Sequence, residues 1–188
     1  MNDIVKSGAV LLVVTIVAGL CLGFVHEFTR EPIRLQLEQA LNDSMGAILP
    51  QADTYVEVEG FEPTATLFNL TRGYFGGAPV GYIIGASRPG YSGIIDVLVG
   101  LDTDGVIQGI NILRHTETPG LGANAALPSF TNQFVGGHTE LNSTRSPSPA
   151  ENEIAIITAS TITVDAILLA VNEALSFFDE ELRQEVPS

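Results

Sequence analysis

The sequence predicts an α+β protein in which a single N-terminal transmembrane helix precedes one domain with a mainly antiparallel sheet and flanking helices. Three observations support this fold class. Gly8–Val25 carries no charged residue, Asp102–Gly105 joins two strand-like runs, and apolar residues after Thr163 recur with the period of a helix. At 188 residues the chain is long enough for one domain with its own core and an appendage.

The uncharged run Gly8–Val25 predicts a membrane anchor. As a helix it covers about 27 Å, close to the thickness of the hydrocarbon layer of a bilayer. A cleaved secretory signal is the alternative, but Phe24–Glu27 offers no small-x-small cleavage site. We therefore favour an uncleaved anchor in residues 1–28 that contacts the lipid bilayer through residues 8–25. Basic residues are nearly balanced across the run, and we expect the N-terminus inside and the domain outside.

Residues 29–50 predict a helical stalk that ends at Pro50. Pro32 is expected in its first turn, where a proline is tolerated. The domain is expected in residues 51–180, and it begins with short alternating runs of strand character. Residues 181–188 predict an acidic tail without regular secondary structure, because their apolar residues show no periodicity.

The clearest β region lies in the middle of the chain. Strands are predicted at Val80–Ala86, Ile94–Leu101 and Val106–Leu113. The turn Asp102–Gly105 contains Asp-Gly, the strongest short-range signal for a hairpin, so the last two strands should be antiparallel neighbours.

The C-terminal half alternates between helical and irregular segments. Leu127–Val135 predicts a short helix with Phe130 and Phe134 facing inward, and Asn142–Asn152 predicts a surface loop. Ile154–Ile157 reads as a buried strand. A long amphipathic helix follows, with an apolar stripe at Ile167, Ala170, Val171, Ala174, Leu175 and Phe178.

The charge of the chain excludes several classes of partner. The formal net charge is −14, and Lys6 is the only lysine. A surface this acidic argues against nucleic acid as a partner and against docking on anionic lipid head groups. It suits a domain that stays off the membrane surface or that meets a basic partner.

The turn between the last strand and the last helix carries four hydroxyl groups, in the sequence Thr158-Ala159-Ser160-Thr161-Ile162-Thr163. Backbone N–H groups at a helix start and the helix dipole favour an anion there, in particular a phosphate. The alternative is that Thr161 or Thr163 caps the helix, which is the usual role of Ser and Thr at such a position.

A second irregular segment, His115–Gly122, follows the last predicted strand of the hairpin. Its proline and two glycines allow the backbone to approach a ligand closely. His115 and Glu117 invite a metal or acid–base interpretation, but no third ligand follows at a suitable spacing. We therefore predict a structural or ligand-cradling loop, with no metal site and no catalytic side chain.

Three stretches in this order behind one apolar span carry a family resemblance: Gly90–Gly105, His115–Gly122 and Thr158–Thr163. The chain resembles the G subunit of the Rnf electron-transport complex. More broadly, it resembles the FMN-binding domain shared with the C subunit of the sodium-pumping NADH:quinone reductase. The resemblance implies an extracytoplasmic FMN-binding domain behind a single-pass anchor in the cell inner membrane.

The resemblance also implies a cofactor site. In this family a phosphoester joins the ribityl phosphate of FMN to a threonine, and the matching residue is Thr161. The chain departs from the family pattern at Ala159, where the family has glycine, and at Ser160, where it has alanine. Candidate cofactor contacts implied by the resemblance are Ser160, Thr163, Glu117, Thr118, Gly120, Leu121 and Gly122.

The function implied by the resemblance is electron relay through covalent FMN in an ion-translocating ferredoxin:NAD oxidoreductase complex. Expected partners are the other subunits of that complex and, during maturation, a flavin transferase that cleaves FAD. Two alternatives stay open. One is the C subunit of a sodium-pumping NADH:quinone reductase, and the other is a non-redox, membrane-tethered assembly module with a degenerate flavin site.

Overall fold

The computed structural model describes residues 2–146 and 148–183. The chain divides into two compact units, one ending at Leu41 and the other beginning at Asn42. Helix α1 comprises Asn2–Ile48, and it contains the apolar run predicted as an anchor. Among the described helices, two are long and apolar enough to cross a membrane. The second, Thr161–Leu182, is more than half buried, as expected of a core helix, whereas the residues of the apolar run Gly8–Val25 in α1 are exposed.

Pro32 lies in the interior of α1, so the prediction that it occupies a first turn is wrong. Proline has no N–H group and removes one backbone hydrogen bond from the helix. Glu, Arg, Leu and Gln on either side of it are good helix formers, which favours continuation. Arg34 also pairs with Glu31 and with Glu38, each at 2.6 Å, and such pairs one turn apart stabilise a helix.

The second unit is built on a five-stranded antiparallel sheet in the order β1-β2-β3-β4-β5. Its strands are β1 (Thr54–Glu57), β2 (Leu67–Phe75), β3 (Ala78–Pro89), β4 (Ile94–Asp102) and β5 (Ile107–Arg114). The predicted hairpin between the last two strands is confirmed, and Gly105 takes a φ of +85° in its turn. The predicted α+β class with an antiparallel sheet is therefore confirmed.

One face of the sheet packs against helix α3 (Thr161–Phe177). Every second residue of a strand points to the same face, and on β4 that set is Ile95, Val97, Val99 and Leu101. All four belong to a core cluster that also contains the predicted apolar stripe of α3. The predicted orientation of this helix is thus confirmed.

The opposite face of the sheet receives the last turn of α1 and Leu49. A Cβ added to Gly100 would lie 2.8 Å from the carbonyl oxygen of Ile48, and one added to Gly109 would lie 3.1 Å from its Cα. A Cβ added to Gly73 would lie 2.5 Å from Leu49. These glycines on three strands therefore form a flat surface, the glycine seat. Any side chain at these positions would clash with Ile48 or Leu49.

The end of α1 is also held by a hydrogen bond. The Tyr55 hydroxyl donates to the carbonyl oxygen of Leu49 at 3.0 Å, which satisfies one of the carbonyls left open at a helix C-terminus. Burial raises the pKa of the Tyr55 phenol, so the group remains a donor over a wide pH range.

Shorter elements close the domain. Helix α2 (Pro128–Thr131) and a 3-10 turn at Asn132–Phe134 form the predicted short helical segment, with Phe130 and Phe134 buried against each other. Strands β6 (Asn142–Thr144) and β7 (Glu153–Ala155) pair in parallel. The prediction of a loop over Asn142–Asn152 is thus wrong at its start. The strand predicted over Ile154–Ile157 is displaced, since β7 ends at Ala155.

After α3 the chain continues as a π-helical turn, Phe178–Leu182, in which Phe178 and Leu182 are buried. The exposed Arg183 pairs with Asp179 at 2.6 Å. The segment predicted as an acidic tail therefore starts with residues packed on the domain, and residues 184–188 lie outside the described residues.

Candidate functional site

The turn that precedes α3 has an unusual backbone. Ala159 adopts a φ of +62°, in the left-handed region that residues with a Cβ seldom occupy. The Ser160 N–H donates to the carbonyl oxygen of Ile157 at 3.0 Å, and its own carbonyl accepts the N–H of Val164. The chain therefore reverses within the turn, and α3 starts at Thr161 with its side chain exposed.

No side chain caps α3 within the described part of the chain. Ser160 occupies the N-cap position, yet its hydroxyl is buried and has no hydrogen-bond partner among the described residues. The capping interpretation of Thr161 and Thr163 is wrong, because the helix start has no side-chain acceptor. Among the described residues, no backbone partner outside the helix accepts the N–H groups of Thr161, Ile162 and Thr163. Open N–H groups in the first turn are the arrangement that binds anions at helix N-termini.

The Thr163 hydroxyl serves another purpose. It donates to Oε2 of Glu117 at 2.7 Å, and both residues are buried. The other carboxylate oxygen, Oε1, accepts the backbone N–H of Ser92 at 2.9 Å. One carboxylate thus connects the loop after β3, the loop after β5 and the first turn of α3. These are the three stretches that the sequence singled out.

Two glycines make room for this carboxylate. A Cβ at Gly90 would lie 2.6 Å from Oε1 of Glu117, and one at Gly122 would lie 2.6 Å from Oε2. Any side chain at either position would displace the buried acid or break one of its hydrogen bonds. The glycines in these two loops therefore allow the close approach of the backbone to Glu117.

A cavity of about 410 Å³ opens over the start of α3. This volume is in the range of small-molecule sites. The cavity is lined by Tyr91, Glu117, Thr118, Leu121, Gly122, Ala159, Ser160, Thr161, Ile162 and Thr163. The structure thus brings together every candidate site residue except Gly120, which takes a φ of +79° and whose carbonyl accepts the side-chain amide of Asn124 at 3.1 Å.

Sequence reasoning missed two residues of the lining, Tyr91 and Ile162. Both are large, apolar and exposed, at 71% and 56%, and Leu121 beside them is 42% exposed. Tyr91 lies in the Gly90–Gly105 stretch that carried the resemblance, and Ile162 lies inside the hydroxyl-rich turn. Their positions within these stretches were the only sequence signal that could have placed them at the site. The mouth of the cavity therefore exposes apolar surface beside the start of α3.

The chemistry of the cavity is that of a binding site. His115 Nδ1 accepts the backbone N–H of Glu117 at 3.3 Å, which gives that residue a structural role in the loop. No group of three or more His, Cys, Asp or Glu side chains in the described ranges is placed to hold a metal ion. What the site offers is an exposed hydroxyl, open N–H groups and an apolar rim.

Replacing Ala159 by glycine is expected to stabilise the domain by up to about 1 kcal/mol. The strain of the positive φ that glycine removes is larger than the entropic cost of ordering a glycine. For a domain of this size that raises Tm by roughly 2–4 °C. All four tyrosines lie beyond Asn42, so tyrosine near-UV circular dichroism of the full chain reports on this unit alone.

The matched control is Ala126→Gly, at an exposed position where φ is not positive. There the added backbone entropy should lower Tm. A lower Tm for both variants would contradict a strained turn at Ala159.

Comparison with known proteins assigns the chain to a family. Residues 90–176 match the FMN-binding domain family. The chain is 30% identical over 175 residues to the G subunit of the proton-translocating ferredoxin:NAD(+) oxidoreductase complex of Clostridium ljungdahlii, covering 93% of this chain and 91% of that protein. It is 32% identical over 188 residues to the G subunit of the Na(+)-translocating ferredoxin:NAD(+) oxidoreductase complex of Acetobacterium woodii, covering 92% and 90%. The chain belongs to the G-subunit family of ion-translocating oxidoreductase complexes.

Further relatives agree with this family. The G subunit of the ion-translocating oxidoreductase complex of Methanosarcina acetivorans is 28% identical over 184 residues, covering 94% of this chain and 95% of that protein. The crystal structure of the C subunit of the Na(+)-translocating NADH-quinone reductase of Parabacteroides distasonis aligns with a TM-score of 0.51 and 22% identity, over 59% of this chain and 60% of that one. This chain therefore shares the fold of that C subunit over the aligned residues. The family resemblance seen in the sequence is confirmed.

Proposed function

We propose that this chain is a membrane-anchored flavoprotein that relays electrons through FMN esterified to Thr161, as one subunit of an ion-translocating ferredoxin:NAD oxidoreductase complex. The single observation that carries the proposal is the position of Thr161. Its exposed hydroxyl stands at the first residue of α3, in the wall of the cavity and among open N–H groups. Membership of the G-subunit family and the FMN-binding domain match support the same cofactor.

The residues of the cavity fit an esterified flavin phosphate. Open N–H groups of the first turn of α3 supply donors for the phosphate oxygens, and the helix dipole favours a negative charge there. The buried Ser160 hydroxyl lacks a partner among the described residues and lies in the same wall. The apolar rim of Tyr91, Leu121 and Ile162 suits a planar ring system.

Attachment would make Thr161 the substrate of a separate transferase. In that reaction a bond would form between Oγ1 of Thr161 and the flavin-side phosphorus of FAD, while the phosphoanhydride bond to AMP would break and AMP would leave. The proton of the threonine hydroxyl is lost to the transferase or to solvent. Thr161 is accessible to such an enzyme because it is exposed, in contrast to the buried Thr163.

When bound, FMN supplies reversible electron transfer through its isoalloxazine ring. The protein holds the phosphate at α3, presents an apolar rim, and keeps Glu117 fixed through Thr163 and Ser92. A covalent tether keeps the cofactor on the chain where free FMN is not supplied.

Topology completes the proposal. We assign residues 1–28 to the anchor, 29–50 to the stalk, 51–180 to the FMN-binding domain and 181–188 to the acidic tail. The anchor contacts lipid through residues 8–25, and the domain lies on the extracytoplasmic side of the inner membrane. The uncharged apolar run within α1 supports the anchor. Its partners are the other subunits of the complex and the flavin transferase.

Mass spectrometry tests the proposal. The full chain, produced together with a flavin transferase and then denatured, should carry the mass of one FMN ester, and the peptide that contains Thr161 should carry the same addition. Chain produced without the transferase is the control and should be unmodified. An unmodified Thr161 peptide from the co-produced chain would refute covalent attachment at this residue.

The non-redox alternative predicts a colourless chain under the same conditions. It drew on the two departures from the family pattern, Ala159 and Ser160. The turn nevertheless adopts a positive φ at Ala159, and Ser160 contributes a hydroxyl to the cavity wall. Both observations support a site able to take the flavin. Yellow colour that survives denaturation and washing distinguishes the two proposals.

A further inference from the structure

The buried acid beneath the cavity bears on which form of the flavin the site accepts. We propose that Glu117 makes this site selective for the singly charged phosphodiester of attached FMN and unfavourable for free FMN. The inference rests on the proposed function, because it concerns the same cavity. It adds a specificity-determining residue. It also gives a reason why the cofactor is held by a covalent bond instead of by reversible binding.

Both oxygens of the Glu117 carboxylate are held by hydrogen bonds. Its two oxygens accept separate hydrogen bonds, from the Thr163 hydroxyl at 2.7 Å and from the Ser92 N–H at 2.9 Å. A carboxylate accepts hydrogen bonds through both oxygens, and the hydroxyl and the backbone N–H can each donate one. The residue is 5% exposed, and solvent therefore screens its charge poorly.

The position of this charge matters because Thr163 is two residues after Thr161 on the same helix. A phosphate on Thr161 would stand on the same helical turn as Thr163, the hydrogen-bond partner of Glu117, and Thr161 and Glu117 line one cavity. None of the lysines and arginines that the structure describes lines this cavity. The only positive potential from within the lining is the helix N-terminus, equivalent to about half an elementary charge.

Charge counting then separates the two forms of the cofactor. Free FMN is a phosphate monoester and carries about −1.5 to −2 at neutral pH, as a phosphorylated side chain does. A phosphodiester to Thr161 carries one negative charge. The site already contains the charge of Glu117 and has no cationic side chain in its described lining, so the second charge of the monoester meets uncompensated repulsion. With Glu117 and Thr161 in the wall of one cavity, that repulsion is worth about tenfold or more in affinity.

The test uses the full chain in detergent, without transferase, in two variants: Thr161→Val and Thr161→Val/Glu117→Gln. Valine removes the ester acceptor, so that binding is reversible. Glutamine keeps the volume of Glu117. It also keeps both hydrogen bonds, because its carbonyl accepts from Ser92 while its amide donates to the Thr163 hydroxyl. Flavin fluorescence anisotropy measures binding of FMN and of riboflavin, which has the same ring and no phosphate.

With Thr161→Val alone, FMN should bind no more tightly than riboflavin. In the double variant FMN affinity should rise about tenfold or more, while riboflavin affinity stays the same. Equal changes for the two ligands, or no gain for FMN, would overturn the proposal, and an absence of FMN binding to the double variant counts as no gain. Loss of the tyrosine near-UV circular dichroism would show that the double variant is misfolded. The variant Thr161→Val/Glu117→Asp, which keeps the charge, then provides the second comparison. Its affinity for FMN should not rise.

This outcome is independent of the test of covalent attachment. An unmodified Thr161 peptide in the co-produced wild-type chain would refute the proposed function, whatever the variants bind. A modified Thr161 peptide together with no gain of FMN affinity in the glutamine variant would refute only the role of Glu117.

Discussion

Replacing Thr161 by valine is expected to remove all covalently bound flavin from the chain. Valine has nearly the shape of threonine and lacks the hydroxyl, so the acceptor is lost while the start of α3 is preserved. Thr161→Ser keeps the hydroxyl and should retain at least part of the flavin. In-gel flavin fluorescence after denaturation, with the chain produced beside a transferase, measures the result.

The matched control is Thr158→Val, which removes an exposed hydroxyl from the same turn but outside α3. It should load as much flavin as the unmodified chain, because Thr158 does not line the cavity. Residual flavin in the Thr161→Val chain at the wild-type level would show that another hydroxyl of this turn is the acceptor. Equal loss in both valine variants would point to disruption of the turn instead of removal of the acceptor.

Replacing Gly100 by valine is expected to destabilise the domain by about 3 kcal/mol, the upper range for overpacking a core. The added Cβ would lie 2.8 Å from the carbonyl oxygen of Ile48, a backbone atom that cannot move without shifting the end of α1. Valine is a good strand former, so intrinsic preference opposes the loss and does not cause it. Tyrosine near-UV circular dichroism of the full chain should show a Tm about 6–12 °C lower.

The control for this variant is Gly46→Ala, in the last turn of α1, which packs on Gly100. No atom lies within 4 Å of the Cβ that it would add. Alanine is the better helix former, so this variant should keep or raise Tm. If the Tm of the Gly100→Val chain lies within about 2 °C of the wild-type Tm, the loss of stability is below about 1 kcal/mol. That result would show that the end of α1 does not pack on the glycine seat.

The parts of the fold that sequence could predict are those encoded by local patterns. The apolar stripe of α3 repeats with the helical period, and Asp-Gly in the turn before β5 fixes a hairpin, so both follow from neighbouring residues. Strands β6 and β7 were not predicted as a pair, since three residues each are too few to show a period. The position of Pro32 inside α1 depended on the helix formers around it, which outweigh one missing hydrogen bond.

The candidate site shows the same division. Thr161 could be placed at a helix start from the sequence, because a hydroxyl-rich turn separates strand-like from helical residues. The use of Thr163 could not, because its hydroxyl bonds to Glu117, which is 46 residues away in the chain. Ser92 and Glu117 are 25 residues apart, and their contact likewise requires the folded sheet. Long-range hydrogen bonds leave no periodic signal in a sequence.

The carboxylate of Glu117 joins loops that become neighbours only when the sheet and α3 have both formed. Thr161, the proposed acceptor, lies two residues before Thr163, so its turn is complete only when the hydrogen bond from Thr163 to Glu117 has formed. A transferase that requires this assembled turn would act as a proofreading step and would mark only chains that have completed folding. Bound flavin would then mark the chains that have folded and matured. Chains without flavin could be distinguished from mature ones by the absence of colour.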